Sequence, residues 1–223
     1  MASVIAFDVN ETLLDLAALD APFEARLGDA ELRPQWFAQM LQLAFVGGLT
    51  GQYVDFTTAQ RAALVMVSER AGVPLGAGEV DGLVALMSSL PPHPEVPGAL
   101  AALARTSLRL VALTNSVQAV AEAQLGSAGL DGYFEAIISA DEVAHLKPAP
   151  QPYLEVAERC GVPIGQVRLV AAHSWDVAGA LGAGCQAAFV ARPGMVLSPL
   201  GRRPGIIGPD LASVAGQIIA ADA

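Results

Sequence analysis

Val4-Ile5-Ala6-Phe7-Asp8-Val9-Asn10-Glu11-Thr12 is the stretch that decides the fold. Four apolar residues followed at once by a carboxylate read as a short strand buried on both faces, the pattern of a parallel sheet covered by helices on each side. Such a strand delivers Asp8 to its C-terminal edge, where open α/β sheets gather their ligands and chemistry. Further strands are expected at Leu108–Leu113, Ala136–Ser139, Val167–Ala172 and Gln186–Val190. Helical patterns at 97–106, 117–128, 150–161 and 175–183 fill the intervals. This alternation predicts βαβ units and an α/β, Rossmann-like parallel-sheet core.

Residues Asp15 to Leu90 break the rhythm and contain no convincing strand. Trp36, Met40 and Leu43 share one helical face, with Phe37, Leu41 and Ala44 on the next, and Gly47-Gly48 is expected to stop that helix. A second helix is expected from Thr58 to Ala71, capped by Thr57 or Thr58, and a third near Glu79–Leu90. Pro91-Pro92-His93-Pro94 marks a stiff hinge back to the sheet. The expected organisation is a core of residues 1–14 and 93–223 with an inserted helical cap domain of residues 15–92. The Gly- and Pro-rich tail from Pro193 to Pro209 reads as a loop before a short last helix.

Of the 223 residues, 53% are hydrophobic and 15% charged, which supports a sizeable core and argues against disorder. The net charge of −10 argues against nucleic acid, whose phosphates call for a basic footprint. No apolar run reaches the roughly 18 residues of a membrane helix, so no membrane partner is expected. The chain enters a strand without a basic leader or signal-type segment. Cys160 and Cys185 are too few for a disulfide framework and suit buried thiols in a reducing compartment. The expected location is the cytoplasm. The apolar cap helices are a candidate homodimer face.

Four strand ends carry polar residues that the fold should bring together: Asp8 with Thr12, then Thr114-Asn115-Ser116, then Lys147-Pro148, then His173-Ser174-Trp175-Asp176. Lys147 is the only lysine among the 12 Lys and Arg residues. A lone Lys at a strand end suits a compact point charge that the planar Arg fork would not replace. At about 4 Å from a carboxylate it gains roughly 4 kcal/mol at a surface-like dielectric, enough to keep Asp8 or Asp176 ionised, as a nucleophile requires. Thr114-Asn115-Ser116 falls where a helix begins, so its side chains can cap that helix and its free N–H groups can hold an anion.

Taken together, these segments resemble the haloacid-dehalogenase superfamily, and within it the type II (L-2-) haloacid dehalogenases, over nearly the whole chain. The superfamily's phosphatases pair two Asp residues on the first strand, with acidic residues at the fourth to hold magnesium. Here Asn10 stands at the second Asp and His173 precedes the single Asp176. The resemblance therefore implies chemistry with no metal and no cofactor; a magnesium-dependent phosphatase is the alternative, and a non-catalytic member a third reading. It further implies Asp8 as nucleophile, Thr12 as its helper, and Thr114 and Asn115 as holders of substrate carboxylate and leaving group. Lys147-Pro148 and Tyr153 match a Lys-Pro and Tyr six residues apart. Trp175-Asp176 matches an aromatic-Asp pair, and Tyr53 with Phe56 a Tyr-x-x-Phe whose Phe lines a halide pocket.

Departures from the pattern are specific. Phe37 occupies the place of a cap arginine that meets the leaving halide, with Arg26, Arg33 and Arg61 as candidate replacements. Ala171 and His173 replace a Ser and an Asn, and Glu11 replaces a Gly. The expected reaction is attack by Asp8 on C2 of a small 2-substituted carboxylic acid, giving an aspartyl ester. Water then attacks that ester with Asp176 as base, oriented by Lys147 and His173. A ring-opening hydrolase acting on a strained, carboxylated ring is a variant using the same nucleophile.

Overall fold

The computed structural model describes residues 1–223. Six strands form one sheet: β1 (Val4–Phe7), β2 (Arg109–Thr114), β3 (Ala136–Ser139), β4 (Val167–Ala171), β5 (Gln186–Val190) and β6 (Ile206–Gly208). Every pairing is parallel, and the order is β3-β2-β1-β4-β5-β6. The chain runs outward from β1 through β2 and β3, then returns to lay β4 on the other side of β1. That reversal opens a crevice at the C-terminal ends of β1 and β4, the switch point where doubly wound sheets bind ligands. The architecture is the Rossmann-like α/β core expected from the alternating pattern.

Alternate residues of β1 enter opposite faces, as the pleat requires. Val4 and Ala6 join Val111, Leu113, Leu169 and Ala171 under the helices Pro150–Cys160 and Ser174–Ala183, whereas Ile5 and Phe7 join Leu110, Ala112 and Val170 on the other face. The helices are α1 (Asp20–Leu27), α2 (Leu32–Thr50), α3 (Phe56–Arg70), α4 (Ala77–Ala85), α5 (Val96–Leu103), α6 (Gln118–Ser127), α7 (Pro150–Cys160), α8 (Ser174–Ala183) and α9 (Leu211–Asp222). The first four lie between β1 and β2 and form the helical cap. Trp36 and Met40 of α2 pack with Ala63 and Leu64 of α3 in one apolar body, and the Trp36 indole donates to the Gln60 carbonyl at 2.9 Å. The two crossings between cap and core pair with each other: Asp15 N–H donates to Pro91 O at 2.8 Å and His93 N–H to Leu13 O at 3.0 Å.

Four local expectations are corrected. Gly47-Gly48 does not stop α2, which runs to Thr50 and ends on Gly51 at φ 69°. A Cβ on Gly47 would lie 2.7 Å from the Gln52 carbonyl oxygen, so that glycine admits the returning backbone inside a continuing helix. Asp55, not Thr57 or Thr58, caps α3, accepting from Thr58 N–H at 2.9 Å. The tail carries the edge strand β6 and a full 12-residue helix, α9. The strand-end segment Thr114-Asn115-Ser116 does not cap α6, whose N-terminal flank is Val117 with no side-chain hydrogen bond.

Helix α8 approaches the loop before α7 unusually closely at Gly179. A Cβ there would meet Pro148 Cβ and the Tyr153 hydroxyl, each at 2.6 Å. Gly179→Ala is therefore expected to cost about 1–3 kcal/mol despite the better helix propensity of alanine. Denaturant unfolding checks this: unchanged stability would mean that the α7–α8 contact yields freely.

Candidate active site

Asp8 leaves the end of β1 almost wholly buried, with its N–H donating to Val170 O of β4 at 3.0 Å. Its two carboxylate oxygens have different surroundings. Oδ1 accepts from Lys147 Nζ at 2.8 Å. Oδ2 accepts from Thr12 Oγ1 at 2.6 Å and is bonded to His173 Nδ1 at 3.0 Å. Thr12 in turn accepts from Ala172 N–H at 2.9 Å, tying the loop after β1 to the end of β4.

Lys147 has no solvent exposure, and neither has Asp176. Its Nζ also donates to Asp176 Oδ2 at 2.6 Å and to Leu113 O at 2.9 Å, so all three N–H groups are satisfied. Burial works against the ammonium, but Asp176 and Asp8 outweigh it and hold its pKa above the usual lysine value. Burial likewise pushes Asp8 toward its neutral form, while Lys147 and then His173 hold the carboxyl well below the usual range. For Asp176 the balance is reversed: burial, helped by the Asp8 charge, raises it against the opposing Lys147. Its second oxygen accepts from the Tyr153 hydroxyl at 2.5 Å. With one donor on each oxygen, Asp176 anchors Lys147 and Tyr153 in this arrangement.

Asn115 lies at the end of β2. Its Oδ1 accepts from Lys147 N–H at 2.7 Å and its Nδ2 donates to Lys147 O at 3.1 Å. This two-point grip on the Lys147 backbone holds the loop in place. Thr114 Oγ1 accepts from Ser116 N–H at 3.1 Å at the end of β2. Asn10 faces away from Asp8: its Oδ1 accepts from Gln124 Nε2 at 2.9 Å and its Nδ2 reaches Ser116 Oγ at 3.3 Å.

An aromatic wall covers the carboxylate. His173 stacks against Phe37 of α2 at 5.8 Å between ring centroids and against Trp175 at 5.0 Å. Phe45 meets Trp175 edge-on at 5.4 Å. The expected site residues Phe37, His173 and Trp175 thus converge beside Asp8. Phe56 does not; it packs in the apolar body of the cap at the start of α3. Tyr53 bonds through its hydroxyl to Asp141, joining cap to core. A cavity of about 640 Å³ lies between the end of α2 with Tyr53 and the loop before α7, lined by Phe45, Gly47, Gly48, Leu146 and Pro148 among others, and none of Asp8, Thr114, Lys147 or His173 lines it.

Glu11 was missed as a site residue. Its Oε2 lies 2.9 Å from His173 Nε2 and its Oε1 3.5 Å from Arg33. Its φ is 59°, a left-handed conformation that costs an L residue about 1 kcal/mol and a glycine nothing. The signal available in sequence was a charged residue where the resembled pattern has glycine. Of the candidate replacement cations, Arg26 and Arg61 pair with Glu79 and Asp81 at exposed positions, and only Arg33 approaches the site, through Glu11. Burial lowers the His173 pKa, but its bonds to Asp8 and Glu11 prevail and raise it to about 9. The imidazole is therefore charged at neutral pH.

No cluster of three His, Cys, Asp or Glu side chains is arranged to hold a metal ion. The donor set explains this. Magnesium needs several free oxygen ligands, whereas the Asp8 and Asp176 oxygens are already committed to an ammonium, an imidazolium and two hydroxyls.

A parallel sheet with a carboxylate at the end of β1, a buried lysine from the loop before α7 and a helical cap between β1 and β2 defines a class, and the family comparison agrees. Residues 2–184 match the haloacid dehalogenase-like hydrolase family, and the chain belongs to it. It is 30% identical over 212 residues to haloacetate dehalogenase H-2 of Moraxella sp. (strain B), covering 94% of this chain and 95% of that one. It is 31% identical over 206 residues to (S)-2-haloacid dehalogenase 2 of Pseudomonas sp. (strain CBS-3), covering 90% and 88%. A solved L-2-haloacid dehalogenase of Xanthobacter autotrophicus with chloropropionic acid covalently bound superposes with a TM-score of 0.92 over the full length of both chains, at 26% identity.

Removing the ammonium leaves buried Asp176 with no cation against it and Asp8 with His173 alone. Lys147→Met is expected to lose about 3–5 kcal/mol near neutral pH. Without the cation, burial holds the folded-state Asp176 carboxyl above its unfolded pKa, so stability should return as pH falls toward about 5. Unfolding curves across that range test this; a variant that weakens further on acidification contradicts the buried triad.

Proposed function

We propose that the chain is a hydrolase that removes halide from C2 of a small 2-haloacid through an aspartyl ester at Asp8. The observation that carries this reading is the asymmetry of the Asp8 carboxylate. Oδ2 accepts from two donors and is saturated, while Oδ1 accepts only from Lys147 and keeps a lone pair. In the first step Oδ1 attacks C2, the O–C2 bond forms as the C2–halogen bond breaks, and halide leaves with the electron pair. Lys147 and His173 keep Asp8 ionised for this attack. Thr114 and the backbone N–H groups beside it hold the substrate carboxylate, and the wall of Phe37 and Trp175 faces the leaving group. The cap excludes bulk water during reaction. In the second step water attacks the Asp8 carbonyl carbon and releases the 2-hydroxy acid.

The covalent adduct in the Xanthobacter relative and the names of the two curated relatives support this substrate class. A magnesium-dependent phosphatase is disfavoured by Asn10, whose amide is taken by Gln124 and Ser116, and by the ammonium that already bridges Asp8 and Asp176.

Halide release from 2-chloropropionate is expected to be unchanged by chelator. Asp8→Asn should abolish it while the protein stays folded. Single turnover in heavy-oxygen water should place the label in the Asp8 peptide; label found only in the product would mean that water attacks the substrate directly.

A further inference from the structure

The second step raises a question the first does not: what receives the negative charge that appears when water adds to the ester. If Oδ1 carries the substrate, Oδ2 is the ester carbonyl oxygen and becomes the oxyanion. Two donors already point at that atom, Thr12 Oγ1 at 2.6 Å and His173 Nδ1 at 3.0 Å. We propose that Thr12 and His173 form an oxyanion hole for hydrolysis of the Asp8 ester, and that Glu11 positions His173. This rests on the aspartyl-ester reading and adds to it a catalytic role for His173.

Three observations support it independently of one another. Donors for an oxyanion must sit about 2.7–3.1 Å from the atom that gains charge, before it does so, and the His173 nitrogen meets that requirement. The imidazole is fixed: Phe37 and Trp175 stack on it, and Glu11 Oε2 takes the far nitrogen at 2.9 Å. Glu11 is held in a left-handed conformation that glycine would adopt freely, so the site keeps the carboxylate at a conformational cost. The charged groups on His173 are Asp8 and Glu11, with Lys147 beyond Asp8 and Arg33 beyond Glu11. Glu11 also lines, with Asp15, Arg33, His93 and Arg192, a cavity of about 300 Å³. When Asp8 becomes an ester its charge disappears, and Glu11 is the carboxylate that still holds the ring protonated.

The atoms balance as follows. The water oxygen bonds to Asp8 Cγ, and the carbonyl electron pair moves onto Oδ2, facing Thr12 and His173. On collapse the pair returns, the Cγ–Oδ1 bond breaks, and Oδ1 leaves with the substrate. The leaving oxygen takes a proton from Lys147, 2.8 Å away. Of the two water protons, one reloads Lys147 and the other leaves as the acid equivalent of the hydrogen halide. His173 stays protonated throughout.

His173→Gln separates the steps. With 2-chloropropionate the variant is expected to release one halide per site in a burst slowed far less than turnover, because Lys147 still holds Asp8 ionised, and to accumulate the Asp8 adduct by mass. Steady-state turnover should drop on the order of 10²–10³-fold. The halide burst itself shows that the variant is folded. Glu11→Gln should lower the ring pKa and move the alkaline limb of the turnover profile to lower pH, whereas a general-base role would move the acid limb instead. Turnover of His173→Gln at the normal rate, loss of burst and turnover in equal proportion, or an alkaline limb unmoved in Glu11→Gln overturns the oxyanion hole. If the unmodified protein gives neither halide nor adduct, the dehalogenase reading itself is lost, and the oxyanion hole with it.

Discussion

One ammonium held between two buried carboxylates organises this molecule. Taking three ions out of water costs several kcal/mol each, and attraction at 2.6–2.8 Å offsets that only while the geometry is kept. The triad therefore constrains the elements that carry it. Asp8 comes from β1, Lys147 from the loop before α7 and Asp176 from α8, and none can shift without stranding a charge. Tyr153 and Asn115 extend the constraint, one by its hydroxyl to Asp176 and the other by its amide to the Lys147 backbone. Such an arrangement adds little net stability, yet it fixes the nucleophile with small positional freedom, which displacement at carbon requires.

The second organising feature is electrostatic asymmetry about Asp8. Lysine lies on one oxygen and imidazolium with hydroxyl on the other, so the two oxygens are chemically distinct before any substrate arrives. The aromatic wall contributes by denying water to the imidazolium on both faces, which strengthens its field at the carboxylate. Phe37 belongs to the cap and His173 to the core, so this environment exists only where the two meet. The backbone pairing at the cap–core crossings keeps that meeting in register.

Much of this could be read in the sequence, for identifiable reasons. The buried run before Asp8, the lone lysine and the polar residues at successive strand ends are local patterns whose convergence follows from parallel-sheet topology alone. What escaped depends on backbone geometry that no local pattern encodes. Asn115 grips the Lys147 backbone because the loop between β3 and α7 folds back against the end of β2. Asp176 is an anchor because Tyr153, one turn into α7, reaches its free oxygen. Glu11 reaches His173 because its φ is positive. Gly47-Gly48 misled because a glycine pair usually ends a helix, while here one of them admits the Gln52 carbonyl. The edge strand β6 is only three residues long and is defined by its partner rather than by its own composition.

The chain's sole lysine is sealed beneath the sheet edge, so the folded protein shows no ε-amine to its surroundings. Acylating reagents and aldehydes added to the native molecule then meet no ε-amine. Modification at residue 147 becomes accessible when the core comes apart. Its yield in a mixed population is a covalent count of the molecules that have opened, an intrinsic gauge of integrity that proteins with ordinary surface lysines do not possess.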